Sequence, residues 1–91
     1  MTKADLVAQV AKKANLTSKA SKDAVNGVFD TIADALRNRE KVVVTGFGTF
    51  LVRHRASRKG RNPQTGAEIQ IPASDTPGFS AGKRLKKTVK R

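Results

Sequence analysis

Apolar residues recur at the spacing of an α-helix in two stretches before residue 40. Thr2 lies three residues before Asp5, a capping-box pattern that predicts the start of a first helix. After a break, Thr17 and Ser18 are hydroxyl N-caps for a second helix, and Asn38 is expected to end it in the left-handed conformation. Each helix has one apolar face, made by Leu6, Val7, Val10, Ala11 and Ala14 in the first and by Ala24, Val25, Val28, Phe29, Ile32, Ala35 and Leu36 in the second.

From position 41 the apolar residues change to the two-residue period of a β-strand. A short strand is followed by a glycine-containing turn and by a second strand at 49–55. There Phe50 and Val52 alternate with Arg53 and Arg55, and successive side chains of a strand point to opposite faces. The pattern therefore predicts a sheet with a core face and a basic face.

The last third of the chain predicts one more strand and one more helix. The strand is placed at 68–74, and Ser80 is expected to cap a helix in which Leu85 and Val89 face inwards. The order is two helices, a three-stranded antiparallel sheet and a short helix, which is an α+β fold. We expect one domain over 1–91, divided into a helical part at 1–40, a sheet at 41–76 with a protruding arm at about 53–71, and a C-terminal helix at 77–91.

The chain has 91 residues and a net charge of +12. This charge is concentrated in its second half. The first 45 residues carry 8 Lys or Arg against 5 acidic residues, whereas the remainder carries 11 against 2. This asymmetry favours a nucleic-acid partner. Anionic lipid is less favoured, because no basic segment is also an amphipathic helix with large apolar residues. The lack of cysteine is typical of the reducing cytoplasm.

The arm contains almost nothing that could be buried. Between Arg53 and Gly66 there are four Arg, one Lys and no acid, so the segment lacks the apolar area that would offset its ordering entropy. A surface that is merely soluble mixes charges of both signs, and this one favours contact with a polyanion. The turn Asn62–Gly66 has Pro63 near its apex, either as a turn residue only or as an apolar wedge of the kind that minor-groove binders insert between base pairs.

No catalytic, cofactor or metal site is predicted. His54 is interpreted as a residue at the rim of the sheet, since the chain has no second His and no Cys with which it could bind a metal. The acidic residues Asp5, Asp23, Asp30, Asp34 and Glu40 fall at helix starts or on polar faces, and Thr17 and Ser18 have no basic partner that would make a nucleophile. A chain this short with an unburied arm has a marginal core, and self-association is expected.

Three runs of residues closely resemble the HU family of bacterial nucleoid DNA-bending proteins. They are GFGTF at 46–50, RKGRNPQTG at 58–66 and IQIPA at 69–73, and the resemblance extends over the whole chain. It implies an obligate, intertwined dimer with a helical base and a saddle of two sheets. It also implies paired arms that follow the minor groove, where the tip proline intercalates and kinks the duplex.

Carried over position by position, the resemblance implies the following roles. Pro63 is the intercalating residue, and Phe29, Phe47, Phe50 and Phe79 belong to the dimer core. The DNA-binding residues are Lys3, Arg53, Arg55, Arg58, Lys59, Arg61, Asn62, Pro63, Gln64, Thr65, Lys83 and Lys86.

These observations predict a non-enzymatic architectural protein that bends, wraps and compacts double-stranded DNA in the nucleoid without sequence specificity and prefers distorted DNA. Its partners are duplex DNA and a second copy of itself or a paralogous subunit. Two alternatives stay open. One is a subunit of a sequence-specific relative such as integration host factor, and the other is a small structural protein of the ribosome or of another RNA.

Overall fold

The computed structural model describes residues 1–90 and divides into two compact units, Met1–Ala35 and the chain from Leu36 onward. The α+β class predicted from the sequence is confirmed. The elements in chain order are α1 Lys3–Ala14, α2 Ser18–Arg37, β1 Val42–Val44, β2 Gly48–Arg55, β3 Arg58–Arg61, β4 Glu68–Ile71, β5 Ser74–Ala81 and α3 Lys83–Val89.

Both predicted helix starts are confirmed by their capping contacts. The Asp5 N–H donates to Thr2 Oγ1 at 3.3 Å, and the Thr2 N–H donates to Asp5 Oδ2 at 2.8 Å, which completes a capping box. The Ala20 N–H donates to Thr17 Oγ1 at 3.1 Å at the start of α2. Asn15 ends α1 in the left-handed region at φ 56°.

The end of α2 differs from the prediction. Arg39, and not Asn38, adopts the left-handed conformation, with φ 60°. The Arg39 N–H donates to the Leu36 carbonyl at 2.9 Å, so the closing turn of the helix is completed one residue later than expected. The left-handed conformation is therefore found at Arg39, one residue after the predicted position.

The helical unit buries little of its apolar face. The Ser21 hydroxyl donates to the Val7 carbonyl at 2.6 Å and joins the two helices, and Ser21 and Val25 are the buried side chains within residues 1–90. Val28 and Phe29 are 56% and 46% exposed. An open apolar groove of about 230 Å³ is lined by Leu6, Val10, Ala24, Val25, Val28 and Phe29.

The predicted three-stranded antiparallel sheet is present, but its third strand is not the one expected, and two further strands form a separate antiparallel ribbon. The main sheet has the order β1-β2-β5, and β3 pairs with β4 in a two-stranded ribbon. The prediction of a third strand at 68–74 is therefore wrong. Pro72 has no N–H and cannot continue a ladder, so the strand ends at Ile71 and a new one starts at Ser74. Pro77 is tolerated in β5 because that strand lies at an edge of the main sheet.

The final helix begins later than predicted. Ser80 does not cap it, because Ser80 pairs with Thr49 in the main sheet, and Gly82 is the N-cap of α3 without a side-chain hydrogen bond. The longer strand leaves only seven residues for the helix. Leu85 is half-buried as expected, but Val89 is 70% exposed, so its inward placement is wrong for this chain by itself.

Three phenylalanines form the apolar cluster of the second unit. The ring centroid of Phe79 lies 4.9 Å from that of Phe50 and 5.6 Å from that of Phe47. A Cβ at Gly48 would lie 2.5 Å from Phe79 Cζ, so only glycine lets the ring approach the backbone there. The turn before it has Gly46 at φ 84°, which only glycine adopts readily. Phe79 is still 38% exposed, and the cluster is open on one side.

Candidate nucleic-acid interface

The main sheet has the basic face that the sequence predicts. In the β2–β5 register Arg53 lies opposite Thr76 and Arg55 opposite Ser74, while Phe50 lies opposite Phe79 on the other face. Short hydroxyl side chains beside the two arginines leave them exposed. A Cβ at Gly78 would lie 2.9 Å from Arg53 Nε, so the arginine side chain extends across that glycine.

A break separates the main sheet from the two-stranded ribbon. The arm that the sequence placed at about 53–71 thus forms its own ribbon only at residues 58–71, and from here on the arm means these residues. Pairing in the main sheet stops at Arg55 and Ser74, and pairing in the arm starts at Arg58 and Ile71. Two residues of each strand between these points are outside both ladders. A groove of about 370 Å³ opens at this junction, lined by Arg55, Ala56, Arg58, Ile71, Pro72 and Ser74. Arg55 of the sheet and Arg58 of the arm thus line one groove.

The arm divides the predicted basic stripe between two faces. The alternation of strand side chains puts Lys59 and Arg61 on one face and Arg58 on the other. Glu68 lies opposite Arg61, and its Oε1 is 3.8 Å from Lys59 Nζ. The stripe is therefore not free of acid once the strands pair, because Glu68 comes from the returning strand.

Two isoleucines, which the alternation of the sequence places on one side of their strand, give the arm an apolar side. A Cβ at Gly60 would lie 2.8 Å from Ile71 Cδ1 and 3.9 Å from Ile69 Cγ1, so these side chains fold across the glycine. Ile69 is 43% exposed, and Ile71 is half-buried. In the register Ile69 lies opposite Gly60 and Ile71 lies opposite Arg58, so the contact with the glycine depends on the pairing of the two strands. It explains how a highly charged ribbon keeps its strands together.

The tip of the arm is a tightly bonded turn. Asn62 organises it: its Oδ1 accepts from the Gln64 N–H at 2.9 Å, its carbonyl accepts from the Gly66 N–H at 2.7 Å, and its N–H donates to the Ala67 carbonyl at 2.8 Å. Gly66 has φ 72°, as the predicted turn requires. Pro63 is exposed beside these bonds. The apex therefore presents a rigid apolar ring on an ordered loop.

The rim position predicted for His54 is correct, but the sequence reasoning missed its partners. His54 Nδ1 donates to Asp75 Oδ1 at 2.6 Å, and the Arg39 guanidinium forms an ion pair with Asp75 Oδ2. The hydrogen bond from His54 is the main cause that holds the pKa of Asp75 below its usual value. His54 and Asp75 are directly opposite in the register, on the same face as Phe50.

The other predicted residues lie on exposed parts of the two units. Lys3 is the first residue of α1, and Lys83 and Lys86 lie in α3. Gln64 and Thr65 belong to the tip, where Thr65 Oγ1 accepts from the Ala67 N–H at 3.2 Å. Within residues 1–90 there is no cluster of three or more His, Cys, Asp or Glu that could hold a metal ion. In the same part of the chain no helix is long and apolar enough to cross a membrane.

A basic sheet face and a detached ribbon with an exposed proline at its apex define a β-arm type of nucleic-acid-binding protein. The chain belongs to the family described as "Bacterial DNA-binding protein", whose profile matches residues 1–90.

Relatives and solved structures agree with this assignment. The chain is 57% identical over 90 residues to the DNA-binding protein HU of Staphylococcus aureus (strain COL), covering 99% of this chain and 100% of the relative. It is 54% identical to the SPbeta prophage-derived DNA-binding protein HU 2 of Bacillus subtilis (strain 168), covering 99% of this chain and 98% of that protein. The structure is similar to an Anabaena HU–DNA cocrystal structure, with a TM-score of 0.87, 42% identity, and 98% and 97% of the two chains covered. HU from Thermotoga maritima gives a TM-score of 0.70 at 32% identity, over 99% and 100% of the chains.

Proposed function

We propose that this protein is an architectural DNA-binding protein that bends and compacts double-stranded DNA without reading its sequence. The observation that carries the proposal is the arm, a ribbon separated from the main sheet that ends in an exposed, rigidly framed Pro63. The similarity to an Anabaena HU–DNA cocrystal structure supports duplex DNA as the partner. The function is one of binding and deformation and needs no chemical step, and its place in the cell is the bacterial nucleoid.

Affinity in this proposal is mainly electrostatic. Each phosphate that the protein neutralises contributes about −0.9 to the slope of log K against log salt concentration. The cations that we assign to phosphate or groove contacts are exposed and lie on the sheet, on the arm and in α1 and α3: Lys3, Arg53, Arg55, Arg58, Lys59, Arg61, Lys83 and Lys86. Arg55 and Arg58, which line one groove at the junction, join the contacts of sheet and arm into one track.

Pro63 is the wedge in this proposal. A proline loses little conformational freedom on insertion, because its ring already fixes φ. The hydrogen bonds of Asn62 hold the apex in place before DNA is met, which reduces the ordering cost further. Unstacking a base step costs a few kcal/mol, and this cost is offset because the bent duplex contacts more of the basic surface of the protein. Asn62, Gln64 and Thr65 provide polar groups beside the wedge.

The proposed active form is a dimer. One chain leaves Phe29 46% exposed and Phe79 38% exposed, on an apolar groove in the helical unit and on the phenylalanine cluster of the second unit. So much exposed apolar surface, with two buried side chains among residues 1–90, points to burial against a partner. We assign Phe29, Phe47, Phe50 and Phe79 to this interface between two copies.

Sequence preference should be weak. The arm is a narrow ribbon with a proline apex, which suits the minor groove, where A·T and T·A pairs present the same acceptors. Discrimination then comes from how easily the duplex deforms. Nicked or gapped DNA has already lost stacking at one step and should bind better than intact duplex.

The test compares binding and bending on nicked duplex, intact duplex and double-stranded RNA of equal length. Equilibrium titration gives the affinities, and energy transfer between dyes at the duplex ends gives the bend. We expect tighter binding to the nicked duplex, a dimer per site and a large change in transfer on DNA. A single strong consensus from a pool of random duplexes would favour a sequence-specific function, and preference for A-form RNA would favour an RNA-associated one.

A further inference from the structure

Three side chains from three segments meet where the main sheet ends and the junction with the arm begins. Asp75 of β5 accepts a hydrogen bond from His54 of β2 at 2.6 Å and forms an ion pair with Arg39 of the loop after α2. His54 and Asp75 form the second-last pair of the main sheet before the ladder stops. One carboxylate therefore connects both strands at the base of the arm with the end of α2.

This ionic contact spans a groove that side chains do not fill. The groove has a volume of about 340 Å³ and is lined by Leu36, Arg37, Arg39, Val52, Asp75 and Pro77. Val52 and Pro77 form the last pair with apolar side chains on this face, and the next pair toward the arm is His54 and Asp75. Beyond the Val52–Pro77 pair, the ion pair between Arg39 and Asp75 replaces apolar packing, and it links the base of the arm to the end of α2.

The position of this link matters because the arm is joined to the main sheet only through residues that do not pair with another strand. Residues 56–57 and 72–73 belong to neither ladder, and Pro72 cannot donate a hydrogen bond to restore one. When the tip is inserted between base pairs, the duplex exerts an opposing force on the arm, and this force is transmitted to the main sheet through these unpaired residues. The force reaches the main sheet at its final pairs, and the direction of the arm depends on how firmly those pairs are held.

We propose that Asp75 is a positioning residue for DNA bending: by holding His54 and Arg39 together, it fixes the direction in which the arm leaves the sheet. The inference rests on the proposed function, since it assumes that the arm bends duplex DNA. Asp75 need not touch DNA in this role, and it acts through the two side chains that it binds.

A simple electrostatic role predicts a different result. If Asp75 were only a negative charge on a basic protein, neutralising it would strengthen DNA binding and leave the bend unchanged. In the positioning role, neutralisation strengthens binding at low salt and at the same time weakens bending. The opposite signs separate the two roles, and a general loss of stability would not raise affinity.

The test uses the full chain with Asp75→Asn and, as a matched control, Glu68→Gln. The substituted amide keeps the shape of the Asp75 side chain but replaces one of its two oxygens by an NH2 donor, and His54 and Arg39 bind different oxygens, so one of them faces a donor in the variant. Glu68→Gln removes the same charge from the arm, where the ion pair to Lys59 is long at 3.8 Å. Energy transfer is measured on nicked duplex at saturating protein, so that changes in affinity do not enter the bend.

We expect both variants to bind duplex more tightly at low salt and only Asp75→Asn to lower the ratio of bent to straight complexes, by up to about fivefold, the upper limit for an exposed ion pair. Arg39→Gln should give a smaller loss of bending, and combined with Asp75→Asn it should add nothing further, because both act through one contact. Equal bending by wild type and Asp75→Asn would overturn the inference.

Failure of the proposed function has a different signature, since the wild type would then give no bend at all. Circular dichroism and melting of each variant show whether it folds. If Asp75→Asn does not fold, Arg39→Gln decides, because Arg39 is exposed and its side chain can be shortened without opening a core. A folded Arg39→Gln that bends DNA as the wild type does would then overturn the inference.

Discussion

Replacing Pro63 by Ala tests the wedge most directly. The change removes two ring carbons from each tip, and burial of a methylene contributes about 0.8 kcal/mol, so each arm loses about 1.6 kcal/mol of contact with the separated base step. That corresponds to about a 15-fold shift from bent toward straight DNA for each arm. Release of the fixed φ adds roughly 0.4–1 kcal/mol of ordering cost. The hydrogen bonds of Asn62 do not involve the proline ring and should keep the turn intact.

The assay measures two quantities on the same DNA. Energy transfer between the duplex ends reports the bend at saturating protein, and titration at low salt reports affinity for intact duplex. Pro63→Ala should lose most of the bend and most of the preference for nicked DNA, while low-salt affinity for straight duplex changes little, because phosphate contacts dominate it. Pro77→Ala is the control, since it makes the same chemical change within the main sheet opposite Val52. An unchanged bend in a folded Pro63→Ala variant would refute the wedge.

Three further predictions concern the arm and the first helix. Arg58→Ala with Arg61→Ala removes up to four cations from a dimer and should flatten the log–log salt slope by up to about 3.6, measured by titration across salt concentrations; an unchanged slope would exclude these residues from phosphate contact. Gly60→Ala places a methyl 2.8 Å from an isoleucine carbon and should loosen the arm, with faster proteolysis at the arm and a smaller bend, whereas equal protease resistance would show that the isoleucine side chain adjusts. Asp5→Asn should lower the melting temperature at neutral pH, because the pKa of Asp5 is held below 3.8, chiefly by the backbone hydrogen bond from Thr2. Since the folded-state value is the lower one, this stabilisation is present above pH 3.8 and is lost as the pH falls further, so the two melting curves should converge in acid.

The arm combines high charge with a defined shape through a small number of contacts. Ile69 and Ile71 fold across Gly60 on one side, and Asn62 closes the tip. The cations are thereby presented on a ribbon that is already formed. A flexible basic tail of the same composition would have to be ordered on binding, at a cost of about 1–2 kcal/mol for each residue fixed.

Much of this protein could be predicted from its sequence, because the relevant patterns are local. Helical spacing and hydroxyl caps located α1 and the start of α2, and the capping contacts of Thr2 and Thr17 confirm them. Alternation in β2 was sufficient to place Arg53 and Arg55 on the face opposite Phe50, since strand side chains alternate whatever the partner strand is. The concentration of positive charge and the turn at Asn62–Gly66 were equally readable.

Tertiary structure decided the features that depend on which strands pair and in which register. The arm is a separate ribbon because pairing in the main sheet stops at Arg55 and Ser74. Sequence periodicity alone could not distinguish two short strands separated by a break from one continuous strand. The pairing of β3 with β4 brings Glu68 beside the basic residues of the arm. The β2–β5 register brings Asp75 to His54, 21 residues away in the chain. Local patterns determine which way a side chain points within its own element, whereas only the assembled sheet determines which distant residue it meets.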